Sequence, residues 1–167
     1  APGANDNASG IANVLEIDRA MAVDGLDEGL CFAAFGAEES GLYGSKALVE
    51  RLRRAGELPG YMVNLDVTGI GRRVEVIGNT AAAALALRAA EEAGIEAVAS
   101  VLPANSGSDH QSFADAGIET VFFTSGDFST IHSPQDVAAD INGKMLDAIG
   151  DAAFLTVKAL LLKVAAG

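Results

Sequence analysis

The chain has 167 residues, half of them hydrophobic, enough apolar material for one domain with its own core and little for two. Eleven basic residues against 23 acidic leave a formal net charge of −12, which argues against nucleic acid phosphates and anionic lipid as partners and suits cationic ligands such as metal ions. No apolar run reaches the roughly 18 residues of a membrane span. The single cysteine, Cys31, has no intrachain disulfide partner and, set in an apolar run, is expected to be a small buried hydrophobe.

The opening residues, Ala1 to Asn7, contain no initiator Met, no signal-peptide pattern and no apolar strand, so the sequence reads as though entered in mid-domain. From Ala8 to Val23, Ile11, Val14, Leu15 and Ala22 recur at helical spacing behind the cap candidates Asn7 and Ser9. The continuous apolar run Leu30 to Phe35, bounded by Gly29 and Gly36, predicts a strand buried on both faces. A loop with Glu38 and Glu39 follows, then a helix over Leu42 to Arg54 and strands at Tyr61 to Asp66 and Arg73 to Ile77. The Ala-rich stretch Ala81 to Ala93 is helical by composition. Beyond it the pattern gives a strand at Ala97 to Leu102, a short helix at Ser108 to Ala116, and a strand at Thr120 to Phe123. A long helix from about Asn142 to Val164 closes the chain. Strands separated by helices imply an α/β fold, a mostly parallel or mixed sheet with helices on both faces.

Ligands of open α/β sheets bind beyond the carboxyl ends of the strands. Three polar features fall there: Glu38-Glu39, Asp66, and His132 some way past the Thr120 to Phe123 strand. Adjacent glutamates in a Gly-rich loop, or a lone histidine, equally suit a solvated surface. Asp66 differs, because a carboxylate closing the run Met62 to Leu65 carries a desolvation cost of about several kcal/mol unless a partner or metal neutralises it. Together they make a mixed oxygen and nitrogen set of the kind zinc accepts.

Five segments occur in order: Pro2-Gly3-Ala4-Asn5-Asp6-Asn7-Ala8-Ser9-Gly10, Phe35-Gly36-Ala37-Glu38-Glu39-Ser40-Gly41-Leu42-Tyr43-Gly44-Ser45, Asn64-Leu65-Asp66-Val67-Thr68-Gly69, Ser108-Asp109-His110-Gln111-Ser112-Phe113 and Ile131-His132-Ser133-Pro134-Gln135-Asp136. As an ordered set they resemble the signature segments of the aminopeptidase Y family of co-catalytic zinc exopeptidases. The resemblance implies a zinc exopeptidase fold, of the phosphorylase/hydrolase-like kind and lacking its first strands, in a single partial peptidase domain over residues 1–167. It also implies a peptide substrate cut at its N-terminal residue. Carried over, Asp6 is the carboxylate bridging two zinc ions about 3.5 Å apart. Glu39 and His132 complete one zinc site with it, Asp66 belongs to the other, and Glu38 is the general base acting on the attacking water. Ser108-Asp109-His110 is read as pocket wall, and Asp136 as a carboxylate supporting the ligands or capping a helix. A secreted or cell-envelope setting is suggested by the resemblance alone.

Two departures from the pattern matter. Members carry a His-x-Asp segment upstream of the Asp6 position, whose histidine is the remaining ligand of the Asp66 zinc, whereas only Ala1 to Asn5 precede Asp6 here. The expectation is at most one tightly bound zinc, and an uncovered sheet edge or core face where preceding strands would lie. The residue before His132, a tyrosine in some members, is Ile131, which offers no phenolic donor to an oxyanion. The surviving set Asp6, Glu39 and His132 also suits a single-zinc glutaminyl cyclase-like transferase, and a catalytically impaired homologue is a third possibility.

Overall fold

Alternation of turn residues with apolar runs resolves, in a computed structural model describing residues 1–104 and 106–165, into helices packed on a four-stranded mixed sheet. The strands are β1 (Tyr61–Leu65), β2 (Gly71–Ile77), β3 (Ala97–Ser100) and β4 (Glu119–Gly126), in the spatial order β1-β4-β2-β3. β1 runs parallel to β4 and β3 parallel to β2, while β2 and β4 are antiparallel. The register pairs Tyr61 with Glu119 and Leu65 with Phe123, so Asp66 leaves the sheet at the carboxyl end of β1.

Five α-helices accompany the sheet among the described residues: α1 (Ser9–Asp24), α2 (Tyr43–Ala55), α3 (Ala81–Glu92), α4 (His110–Ala114) and α5 (Gly143–Ala165). Their ends follow local chemistry. The Asn7 side chain accepts the Gly10 N–H at 3.0 Å at the head of α1, and the left-handed Gly25 closes that helix. Thr80 caps α3 by accepting the Ala83 N–H at 3.2 Å. Ser9, the other cap candidate, serves differently: its hydroxyl donates to the Asn5 carbonyl and accepts the Thr68 N–H, tying the α1 turn to the residues after β1.

The faces of the sheet separate by alternation. Val121 and Phe123 join Ile17 and Met21 of α1, Ala83, Ala86 and Ala90 of α3, and Ile149, Ala152 and Ala153 of α5 in the main core. Phe122 points the other way, its ring 4.9 Å from that of His110 on α4, and a smaller cluster of Val49, Phe113 and Ile118 lies under α2 and α4. No described helix is long and apolar enough to cross a membrane.

One predicted element is corrected. Leu30 to Phe35 forms no strand, and Cys31 is exposed rather than buried. An apolar run becomes a strand only when a neighbour satisfies its backbone groups, and no described strand pairs with this one. β1 is an edge of the sheet, and a groove of about 850 Å³ is lined by Leu30 to Phe35, by β1 and by apolar residues of α1, α2 and α5.

Close approach of α1 to β1 requires a glycine. A Cβ at Gly10 would run into the Leu65 carbonyl and the Asn7 side chain, which itself donates to that carbonyl at 3.0 Å. Gly10→Ala should therefore destabilise the chain by about 1–3 kcal/mol, seen as a drop of about 2–12 °C in thermal denaturation. Gly36→Ala, where an added Cβ meets nothing within 4 Å, should leave the midpoint unchanged.

Candidate metal and acid–base site

Four loops at one end of the sheet present the residues singled out from sequence. Asp6 sits in the turn over 4–8 ahead of α1, where Asp6 and Asn7 depart from helical geometry. Glu38 and Glu39 lie between Gly36 and α2, in a loop whose Ala37 and Leu42 take left-handed backbone angles. Asp66 follows β1 directly. His132, itself left-handed at φ 59°, lies in the loop leaving β4.

The fold brings three of them together. His132 Nε2 lies 2.6 Å from Glu39 Oε1 and 3.2 Å from Asp6 Oδ2, and one ligand atom from each residue falls within 4.8 Å of the others. The His132 and Glu39 side chains are 61% and 58% exposed and that of Asp6 only 14%, so the cluster is anchored on one side and open to solvent on the other. Two carboxylates and an imidazole with an open face match a three-ligand zinc site with room for water or substrate.

Asp66 is held separately. Its Oδ2 accepts the Ser108 hydroxyl at 2.8 Å, and Ser108 in turn accepts the Asn64 side-chain amide at 2.8 Å. Its Oδ1 is buried and has no hydrogen-bond partner, a condition relieved by a bound cation or by protonation. The residues present therefore fit a metal at the Asp6–Glu39–His132 cluster and leave one further carboxylate oxygen, Asp66 Oδ1, without a donor. The turn after Asp66 is tightly specified. Val67, β-branched yet at φ 54°, has a carbonyl that accepts from Thr124 Oγ1, Ser125 Oγ and the Ser125 N–H at 2.8–3.0 Å.

The electrostatics reflect crowded like charges. Burial, then the Asp66, Glu39, Asp109 and Asp6 carboxylates, push Glu38 up to about 7. Asp66 rises to about 6, chiefly through burial, with Asp6 and Asp109 adding to the rise and Ser108 opposing it. Asp6 is raised by burial and by Glu39, and His132 is raised by its hydrogen bond to Glu39. His110 takes no part in the cluster: it is buried against Phe122 and burial lowers its pKa, while Ser108 and Asp109 of the same segment line the groove. Sequence reading assigns no site role to Asn5, Asn64, Thr124 and Ser125, and marks Ser9 only as a cap candidate; Asn5, Ser9 and Asn64 lie inside the quoted segments.

A carboxyl whose folded pKa is raised stabilises the fold below its unfolded pKa and loses that contribution as pH climbs through the folded value. For Asp66 the window runs from 3.8 to about 6, and the difference corresponds to about 3 kcal/mol. In chelator-treated protein, Asp66→Asn should be more stable than wild type at pH 8 and no more stable at pH 4. Denaturant unfolding at both values checks this; an equal gap at both would show that Asp66 is not under electrostatic stress.

The model of Peptidase family M28 matches residues 1–157. Aminopeptidase YwaD of Bacillus subtilis is 33% identical over 90% of this chain and 36% of its own length. A probable leucine aminopeptidase of Arthroderma otae is 31% identical over 88% of the chain and 45% of its own. The chain thus spans less than half the length of these curated relatives. Among solved structures, an aminopeptidase from Aneurinibacillus sp. superposes with a TM-score of 0.81 at 29% identity, covering 94% of this chain and 39% of that one. BSAP, a zinc aminopeptidase from Bacillus subtilis, gives 0.80 at 30% identity, covering 96% and 43%. The motif resemblance to zinc aminopeptidases and the mixed α/β fold are borne out together, and the chain belongs to peptidase family M28.

Proposed function

We propose that this chain carries the catalytic part of a zinc aminopeptidase that hydrolyses N-terminal residues from peptides. The observation that carries the reading is the convergence of Asp6, Glu39 and His132 on one point, with Glu38 and Asp66 close enough to raise the pKa of Glu38. In this reading Asp6, Glu39 and His132 would hold zinc, and Asp66, whose Oδ1 has no hydrogen-bond donor, would serve a second position. When bound, zinc supplies Lewis acidity to the scissile carbonyl and makes water a stronger acid.

The protein's own groups do the rest. Glu38 neighbours Glu39 in sequence but plays a different part: its carboxylate takes a proton from the attacking water and hands it to the departing amine. A carboxyl raised to about 7 is matched to exchanging protons near neutral pH. The carboxylates of Asp6, Glu38, Asp66 and Asp109 favour the cationic α-amino group of a peptide over an acidic chain segment. The relatives named as aminopeptidases, one of them for leucine, support an N-terminal substrate of this kind.

A second reading, a single-zinc glutaminyl cyclase-like transferase, is favoured by the same three-ligand set. Hydrolysis of a leucyl anilide against cyclisation of a glutaminyl peptide separates the two, and cyclisation alone would overturn the peptidase. Glu38→Gln should lower turnover by about 100-fold or more while retaining zinc; activity within twofold of wild type would exclude Glu38 as the base. For the chain as given we expect at most one tightly bound zinc, since among the described residues a single group of three ligands converges. Elemental analysis of purified protein checks the number, and two zinc ions per chain surviving dialysis would refute it.

A further inference from the structure

Asp136 lies four residues beyond His132 and has no exposed surface. Its two carboxylate oxygens are used on separate donors: Oδ1 accepts the Asn5 N–H at 2.6 Å and Oδ2 the Asp6 N–H at 3.1 Å. Its main-chain carbonyl accepts the Ala4 N–H at 3.3 Å, so three successive amides of the Asp6 turn donate to one residue. Its own N–H donates to the Ser133 carbonyl at 3.3 Å, closing the His132 loop onto the same point. No basic side chain forms an ion pair with it among the described residues, so backbone amides supply its stabilisation. Asn5 carries the connection onward, its side chain accepting the Gly69 N–H at 2.8 Å and donating to the Asp127 carbonyl at 3.3 Å.

We infer that Asp136 is a positioning residue that sets Asp6 against His132, so that two ligands of the proposed zinc site, distant in sequence, stand at ligating distance before the metal arrives. The inference rests on the zinc reading above. A carboxylate is required because two N–H donors converge on one side chain. Asparagine offers one acceptor and turns an NH₂ toward the other donor, and glutamate is a methylene too long for a site with no free surface. Partners that orient ligands in this way commonly govern metal affinity about 10–100-fold.

The test uses the full chain. Asp136→Asn should weaken zinc binding about tenfold or more in competition with a chromophoric chelator and alter the visible absorption of the cobalt(II)-loaded protein. Ile149→Val, a change in the main core, serves as a stability control and should leave both readouts as in wild type. Zinc affinity within twofold of wild type and an unchanged cobalt spectrum for Asp136→Asn would overturn the inference, as would an equal loss in Ile149→Val. A variant-free measurement stands beside these. In chelator-treated wild type, the Asn5 and Asp6 amides should exchange with solvent slowly, well apart from the other loop amides. Protection appearing only after zinc is added would also overturn the inference. Should wild type bind no zinc, the metal reading fails instead, and amide exchange still decides whether the Asp136 contact organises the turn.

Discussion

Repulsion among carboxylates is the constraint around which this structure is built. Asp6, Glu38, Glu39, Asp66 and Asp109 gather at one end of a small sheet, and the nearest cationic candidate is His132. A fold that merely minimised its own energy would disperse these groups into solvent. Here two of them are lifted to about 6 and about 7, and an oxygen of Asp66 is buried without a donor. Crowded carboxylates of this kind are common at functional sites, and in the proposed zinc reading a divalent cation would offset their mutual repulsion.

The scaffold meets the cost with hydrogen bonds that leave little freedom. The left-handed Val67 is pinned through its carbonyl by the Thr124–Ser125 segment, which turns the chain sharply after Asp66. Asn5 and Ser9 lace the turn before α1 to the residues after β1. Gly10 lets the helix approach that strand end closely. Backbone strain and buried polarity thus collect around the carboxylates while the apolar core lies behind them, a division expected when a rigid base supports a demanding site.

Much of this was legible in the residues themselves. The helices over Ala81 to Ala93 and Asn142 to Val164 followed from composition and spacing, and the strand at Tyr61 to Asp66 from an apolar run closed by a charge. The ordering of Glu38-Glu39, Asp66 and His132 behind strand ends is a property of α/β topology that sequence alone can express. What could not be read was pairing. Leu30 to Phe35 has the composition of a buried strand, but strand identity belongs to a ladder of two segments, and hydrophobicity in one carries no information about its neighbour. Nor could polarity reveal direction: Asn5, Ser108 and Asp136 are ordinary polar residues in a loop-rich sequence, and only the three-dimensional path shows which backbone donor or carboxylate each one faces.

The groove beside β1 has a mechanical consequence for the chemistry. Glu38 and Glu39 follow closely on Leu30 to Phe35, and Asp66 follows directly on β1, so the two lines of chain bordering the groove each end in the site. Between the paired strands, separation is fixed by directional hydrogen bonds, whereas the Leu30 to Phe35 line is placed by side-chain packing, Leu30 and Phe32 against the main core and Phe35 against the Val49–Phe113–Ile118 cluster. Dispersion contacts tolerate displacements that a hydrogen-bond ladder does not. The distance from the Glu38–Glu39 pair to Asp66 is accordingly the compliant dimension of the site, and the anchorage of Asp6 through Asn5 and Asp136 is its stiff one.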